Sequence, residues 1–126
     1  MDRRAPAGAI IGLDHVQIAI PSGGEDRARA FYIGLLGLEE ISKPPQLSPQ
    51  GCWLRAGALS LHLGVDKDFH PAKKAHPALL VDDLLSVRAS LESAGIATRD
   101  DTPIEGYSRF FADDPFGNRI EFMQHS

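Results

Sequence analysis

Cysteine is almost missing from this chain: Cys52 is the only one among 126 residues, so no internal disulfide can cross-link the fold. That scarcity removes the signature of a disulfide-stapled extracellular domain. No apolar run approaches the ~18 residues that a membrane-spanning helix needs. Met1 to Ala9 holds two arginines but no following apolar core of signal-peptide length, which reads as a short loose tail on a cytoplasmic protein. Basic charge is not in excess either. Thirteen Lys and Arg stand against 17 Asp and Glu, the net charge is −4, and the basic residues are scattered. Nucleic acid and membrane are therefore not expected as partners. A Gly-rich phosphate loop, a Ser nucleophile elbow and a Cys-x-x-Cys pair are also missing. What remains is ordinary for a globular protein: 43% hydrophobic and 24% charged residues, in a length that makes one domain (1–126) with a real core.

The most informative stretch is Ala112-Asp113-Asp114-Pro115-Phe116-Gly117-Asn118-Arg119-Ile120-Glu121-Phe122. Asp114-Pro115 starts a turn, and Gly117-Asn118 tolerates the left-handed backbone of a tight reversal. Past the turn Ile120 and Phe122 take one face of a strand, Arg119, Glu121 and Met123 the other. A carboxylate held on a strand among apolar neighbours is either a paired core charge or a functional group.

From the N-terminus, Ile11 to Ile20 alternates, with Val16, Ile18 and Ile20 opposite His15, Gln17 and Ala19. Glu25 and Asp26 open a helix whose apolar stripe is Ala28, Phe31, Tyr32 and Leu35, and Gly37 closes it. Short strands are predicted over Leu38–Ser42, Cys52–Arg55 and Leu59–Leu63, followed by a polar linker (66–74). The order then begins again. A strand over Ala75–Val81 leads to a helix capped at Asp82-Asp83 and carrying Leu84, Val87, Leu91 and Ala94. A strand over Ile96–Arg99 and a final pair around Phe110 and Ile120–Met123 follow. His15 and His76 hold the same place in the two halves, as do His62 and Glu121, at nearly equal offsets. An internal repeat of this kind decides the fold class: α+β, with module 1 over about 11–65, module 2 over about 75–124, helices on the outer face and His15, His62 and Glu121 on the concave face of curved mixed sheets.

Leu13-Asp14-His15-Val16, the Ala30-Phe31-Tyr32 to Leu36-Gly37-Leu38 helix exit and the Asp114-to-Glu121 stretch resemble the vicinal oxygen chelate superfamily. That group holds glyoxalase I, fosfomycin-resistance proteins, bleomycin-resistance proteins and extradiol dioxygenases. The resemblance runs from Leu13 to Met123. It implies paired βαβββ modules around a divalent metal, with ligand places at His15, His62, His76 and Glu121. His62 stands where glyoxalase I proteins often have a carboxylate. It also implies a homodimer, with the site formed within one chain or across two.

Imidazole nitrogen and carboxylate oxygen suit Zn, Ni, Fe, Co or Mn and leave positions open for substrate oxygens. Glu121 is read as a ligand or as the general base. His62 reads as a ligand, a donor behind the ligands or a substrate contact. Trp53, Tyr107, Arg109 and Phe111 are candidate pocket residues. Arg109 either pairs with a substrate carboxylate or phosphonate, or makes a salt bridge to Glu105 or Asp113. Two functions follow: a metal-dependent lyase, isomerase or thiol transferase acting on a small oxygen-chelating substrate, or a non-catalytic protein that sequesters a small molecule.

Overall fold

The computed structural model describes residues 8–126, so the expected N-terminal tail lies outside the described residues up to residue 7. The first module runs β1 (His15–Ile20), α1 (Glu25–Arg29) continuing through a π-helical segment (Ala30–Leu35), β2 (Glu39–Ile41), β3 (Cys52–Ala56) and β4 (Leu59–Val65). The second runs β5 (Ala78–Leu80), α2 (Leu84–Ser93), β6 (Thr98–Arg99), β7 (Tyr107–Asp113) and β8 (Arg119–His125). Each module forms one four-stranded mixed sheet, ordered β1-β4-β3-β2 and β5-β8-β7-β6. In both, the first strand lies parallel to the last and forms an edge. The α+β, two-module architecture predicted from the repeat is the one observed.

Local chemistry explains the boundaries. Gly57 (φ 59°) and Gly117 (φ 92°) supply the left-handed residues of the β3–β4 and β7–β8 hairpins. Asp83 caps α2 by accepting from the Ser86 N–H at 3.1 Å. The first helix departs from its predicted stripe. Ala28, Phe31 and Tyr32 are buried, but Leu35 is partly exposed. The Leu36 N–H reaches back five residues to the Phe31 carbonyl, and this wide turn rotates position 35 off the core.

Two predicted strands are shorter than expected. β1 begins at His15 rather than Ile11, because its partner β4 starts at Leu59 and offers no ladder beyond Ser60. Residues 10–13 therefore run free of the sheet. β5 starts at Ala78 because Pro77 has no N–H to give, although its carbonyl still accepts from the Glu121 N–H at 3.0 Å. His76 thus sits just ahead of the strand.

Both modules contribute to one continuous core: Ile18, Phe31, Tyr32, Leu54 and Leu61 from the first, Leu84, Leu91, Phe110, Ile120 and Phe122 from the second. Each such side chain contributes about 1.5–3 kcal/mol through its removal from water. The β7–β8 turn clasps the modules together. Buried Asp114 accepts from the Tyr32 hydroxyl (2.7 Å), the Asn118 amide group (2.9 Å), and the Phe116 and Asn118 N–H groups (each 2.9 Å). Asn118 also donates to the Ala19 carbonyl and accepts from the Ala72 N–H, both at 2.9 Å.

Candidate functional site

The repeat has placed polar side chains at equivalent registers in the two sheets. In the first, Gln17 of β1 and Trp53 of β3 flank His62 on β4. In the second, Ala78 of β5 and Phe111 of β7 flank Glu121 on β8. His15 and His76 each stand two residues upstream of those flanking positions, on the same faces. Each module thus offers a first-strand histidine, a last-strand donor and an aromatic neighbour.

In the first module the rings form a stack. His62 lies with its centroid 4.0 Å from His15 on one side and 4.0 Å from Trp53 on the other. The His15 Nδ1 bonds the Asp14 carboxylate at 2.8 Å. Since that partner only accepts, Nδ1 carries the hydrogen and the bond orients the ring. Burial, and the neighbouring His15, push the His62 pKa below the ordinary histidine value. His62 therefore presents a neutral imidazole at neutral pH. The stack forms one wall of a cavity of about 720 Å³, closed on other sides by Gln17, Lys43, Leu47 and Gln50. The 43–51 loop is tied by Lys43, whose ammonium donates to the Ser48 carbonyl (2.6 Å) and to the Gln50 carbonyl.

In the second module His76 Nδ1 donates to the Lys74 carbonyl at 2.8 Å, and Nε2 lies 3.0 Å from Glu121 Oε1. Glu121 is buried, and its other oxygen accepts from Arg109 Nη1 at 3.1 Å. Arg109 Nη2 donates to the Thr102 carbonyl at 2.6 Å, while its buried Nε has no partner among the described residues. So Arg109 pairs with neither Glu105 nor Asp113; Asp113 is taken by Arg99 at 2.9 Å. Phe111 lies against His76 (5.3 Å) and under the guanidinium groups of Arg109 and Arg119, both 5.3 Å from its centroid. Tyr107 lies at the far end of β7, edge-on to His125 at 4.7 Å.

The four predicted ligand residues therefore come together as two pairs, His15 with His62 and His76 with Glu121. Among the described residues no three His, Cys, Asp or Glu side chains stand close enough to share one ion. The donor chemistry of each pair nevertheless suits a divalent metal. Both first-strand histidines are held at Nδ1 by an oxygen acceptor, as metal-ligating histidines are. The Nε2–Oε1 hydrogen bond of His76 and Glu121 needs one shared proton, whose place a cation can take.

Gln17 and the Lys43–Gln50 loop were not among the predicted site residues. Gln17 was detectable, since it alternates with His15 on the polar face of β1. The loop carries no periodic signal.

A family description, the Glyoxalase/Bleomycin resistance protein/Dioxygenase superfamily, matches residues 12–122. No curated protein matches significantly. Among solved structures, a glyoxalase family protein from Bacillus anthracis is 47% identical, with 93% of this chain and 97% of that one covered and a TM-score of 0.88. An antibiotic-binding protein from Streptomyces sp. CB03234 (21% identity, 93% and 100% covered, TM-score 0.71) shares the fold. So does a fosfomycin resistance protein from Listeria monocytogenes (15% identity, 93% and 93% covered, TM-score 0.70). With two βαβββ modules in register and the match spanning nearly the whole chain, this protein belongs to the Glyoxalase/Bleomycin resistance protein/Dioxygenase superfamily.

Proposed function

We propose that the protein is a metal-dependent enzyme of glyoxalase type, a lyase, isomerase or thiol transferase, whose site is completed across a homodimer. His15 and His62 of one copy and His76 and Glu121 of the other would hold the ion. The observation that carries this reading is the matched register: two half-sets of nitrogen and oxygen donors, one per module, beside edge strands that have no outer neighbour among the described residues. A bound Zn, Ni, Fe, Co or Mn ion would polarise substrate oxygens that chelate it. The chain's own residues do the rest. Asp14 and the Lys74 carbonyl aim the two first-strand imidazoles. Trp53 and His62, stacked face to face, form part of the wall of the cavity that would receive a small substrate. With the ion in place of the proton that His76 and Glu121 share, the Glu121 carboxylate, swung off the ion, would take a proton from a substrate carbon and return it to a neighbouring atom.

The test is elemental analysis of untagged protein purified without chelators, with thermal melts after a divalent ion is added. One ion per chain and a raised melting temperature are expected. Metal-free protein whose melt is unmoved by every divalent ion tried overturns the reading.

One observation favours a second reading. Arg109 already neutralises Glu121 at 3.1 Å, which suits a cup that sequesters a small molecule without a metal. In that case His76→Ala binds the small molecule as tightly as the parent does.

A further inference from the structure

On β6, β7 and β8 the ladder brings three guanidinium groups to one face of the second sheet, with two carboxylates. Arg99 pairs in register with Phe111, and Phe111 with Glu121; one step along, Asp113 stands opposite Arg119. Both carboxylates are already engaged. Asp113 turns to Arg99 at 2.9 Å, although Arg119 is its direct ladder neighbour, and Glu121 accepts from Arg109 at 3.1 Å. Arg119 is the cation left over. It is half-buried, its guanidinium lies 5.3 Å from the Phe111 centroid, and its buried Nε has no partner among the described residues. At the rim, the exposed Asp101 carboxyl is held below the ordinary carboxylate range chiefly by the Thr102 N–H at 2.7 Å. Arg109 and Arg119 add to that effect only in lesser part.

A guanidinium keeps its charge wherever it stands, and an oxyanion that takes its forked donors satisfies it best. Strand alternation fixes where that anion would lie. Arg119 and Glu121 are two residues apart on one face of β8, so their Cα atoms are about 7 Å apart. His76, 3.0 Å from Glu121, and Arg119 both lean on Phe111, each at 5.3 Å. We infer that Arg119 selects the substrate by binding a carboxylate carried on a short carbon spacer beyond the oxygens that chelate the ion. This rests on the function proposed above, because an ion at His76 and Glu121 sets where the chelating oxygens lie. Charge favours a carboxylate over a phosphonate or phosphate. With Asp113 and Glu121 neutralised, this face has one positive charge to offer, which a monoanion balances and a dianion exceeds. Arg119 and Glu121 sit on the same strand, so the distance between acid group and chelate is held by the sheet. A substrate with no distal charge keeps the chelate and loses the Arg119 contact. Arg119 therefore acts on specificity, apart from the proton chemistry of Glu121.

The test titrates two probes into protein supplemented with zinc or manganese, by isothermal titration calorimetry. Both are 2-oxo acids of five carbons with the same chelating head: 2-oxoglutarate carries a distal carboxylate, and 2-oxopentanoate ends in a methyl group. The parent is expected to bind 2-oxoglutarate at least fivefold tighter. Arg119→Gln should bind the two alike, and Arg119→Lys, which keeps the charge and loses the fork, should keep part of the preference. Circular dichroism and metal content on the same samples check the fold and the ion. A parent that discriminates less than fivefold, or that binds neither probe at 10 mM, overturns the inference. So does an Arg119→Gln variant that keeps the full preference. Should that variant lose its fold, Arg119→Lys decides, and an undiminished preference there overturns the inference. A third probe, 2-oxo-4-phosphonobutanoate, binding tighter than 2-oxoglutarate overturns the choice of a carboxylate. Metal-loaded parent protein without discrimination defeats the inference and leaves the metal reading intact. An Arg119-dependent preference in protein that never takes up metal supports the carboxylate site and defeats the metal reading.

Discussion

At the residue scale the molecule turns on a few polar side chains that are buried with their partners. Tyr32 donates to Asp114 from the interior, and burial beside that carboxylate raises the phenol's pKa far above its ordinary value. Tyr32→Phe removes one donor of four and is expected to lower stability by about 1–2 kcal/mol in urea denaturation. Asp114→Ala strands all four donors and is expected to cost about 3 kcal/mol or more. His62 sets a pH dependence. Its folded-state pKa lies below the ordinary 6.5, so as pH falls the unfolded chain takes the proton first. Stability is then level above about 6.5 and declines as pH drops through that value. His62→Asn should flatten the decline between urea melts at about pH 7.5 and about pH 5.5. The candidates themselves were legible in the sequence because His15, His62 and Glu121 fall on polar faces of alternating strands. The Arg109 bond to Glu121 was not, because it depends on the register between β7 and β8, and alternation does not encode that.

The elements were legible where turn chemistry brackets them. Gly57, Gly95 and Gly117 mark ends that propensity alone would blur, and each has positive φ in the structure. The π-helical segment was hidden, since one extra residue in a turn leaves the apolar spacing almost unchanged. Shortening of β1 and β5 was hidden too, because strand length is set by the neighbour's reach and by Pro77 rather than by the strand's own pattern. Gly51 shows how tightly the first module closes over its loop. Its φ is +78°, its N–H donates to Glu25 at 3.0 Å, and a Cβ there would run into the Leu63 carbonyl oxygen. Gly51→Ala is expected to cost about 3 kcal/mol or more in a thermal or urea melt, because strain and overlap add. At α2, Asp83→Ala is a milder case. Loss of the cap to Ser86 should cost about 1 kcal/mol.

For the whole molecule, the repeat was readable in the spacing of two residue pairs, but the separation of those pairs within one chain was not. It follows from the shared core, which joins the helix-bearing sides of both modules and keeps their polar faces apart. If the proposed site spans two copies, mixing His15→Ala with His76→Ala subunits makes heterodimers with one doubly damaged site and one intact site. Two variants that each hold no metal should then recover about a quarter of the parent's capacity after subunit exchange, measured by elemental analysis. A site formed within one chain recovers nothing. The stack of Trp53 on His62 has an optical consequence as well. This is the chain's single tryptophan, so the whole indole fluorescence of the protein originates 4.0 Å from a candidate ligand. Protonating that imidazole, or seating cobalt or nickel beside it, should dim the emission, giving every molecule a built-in gauge of how its cup is filled.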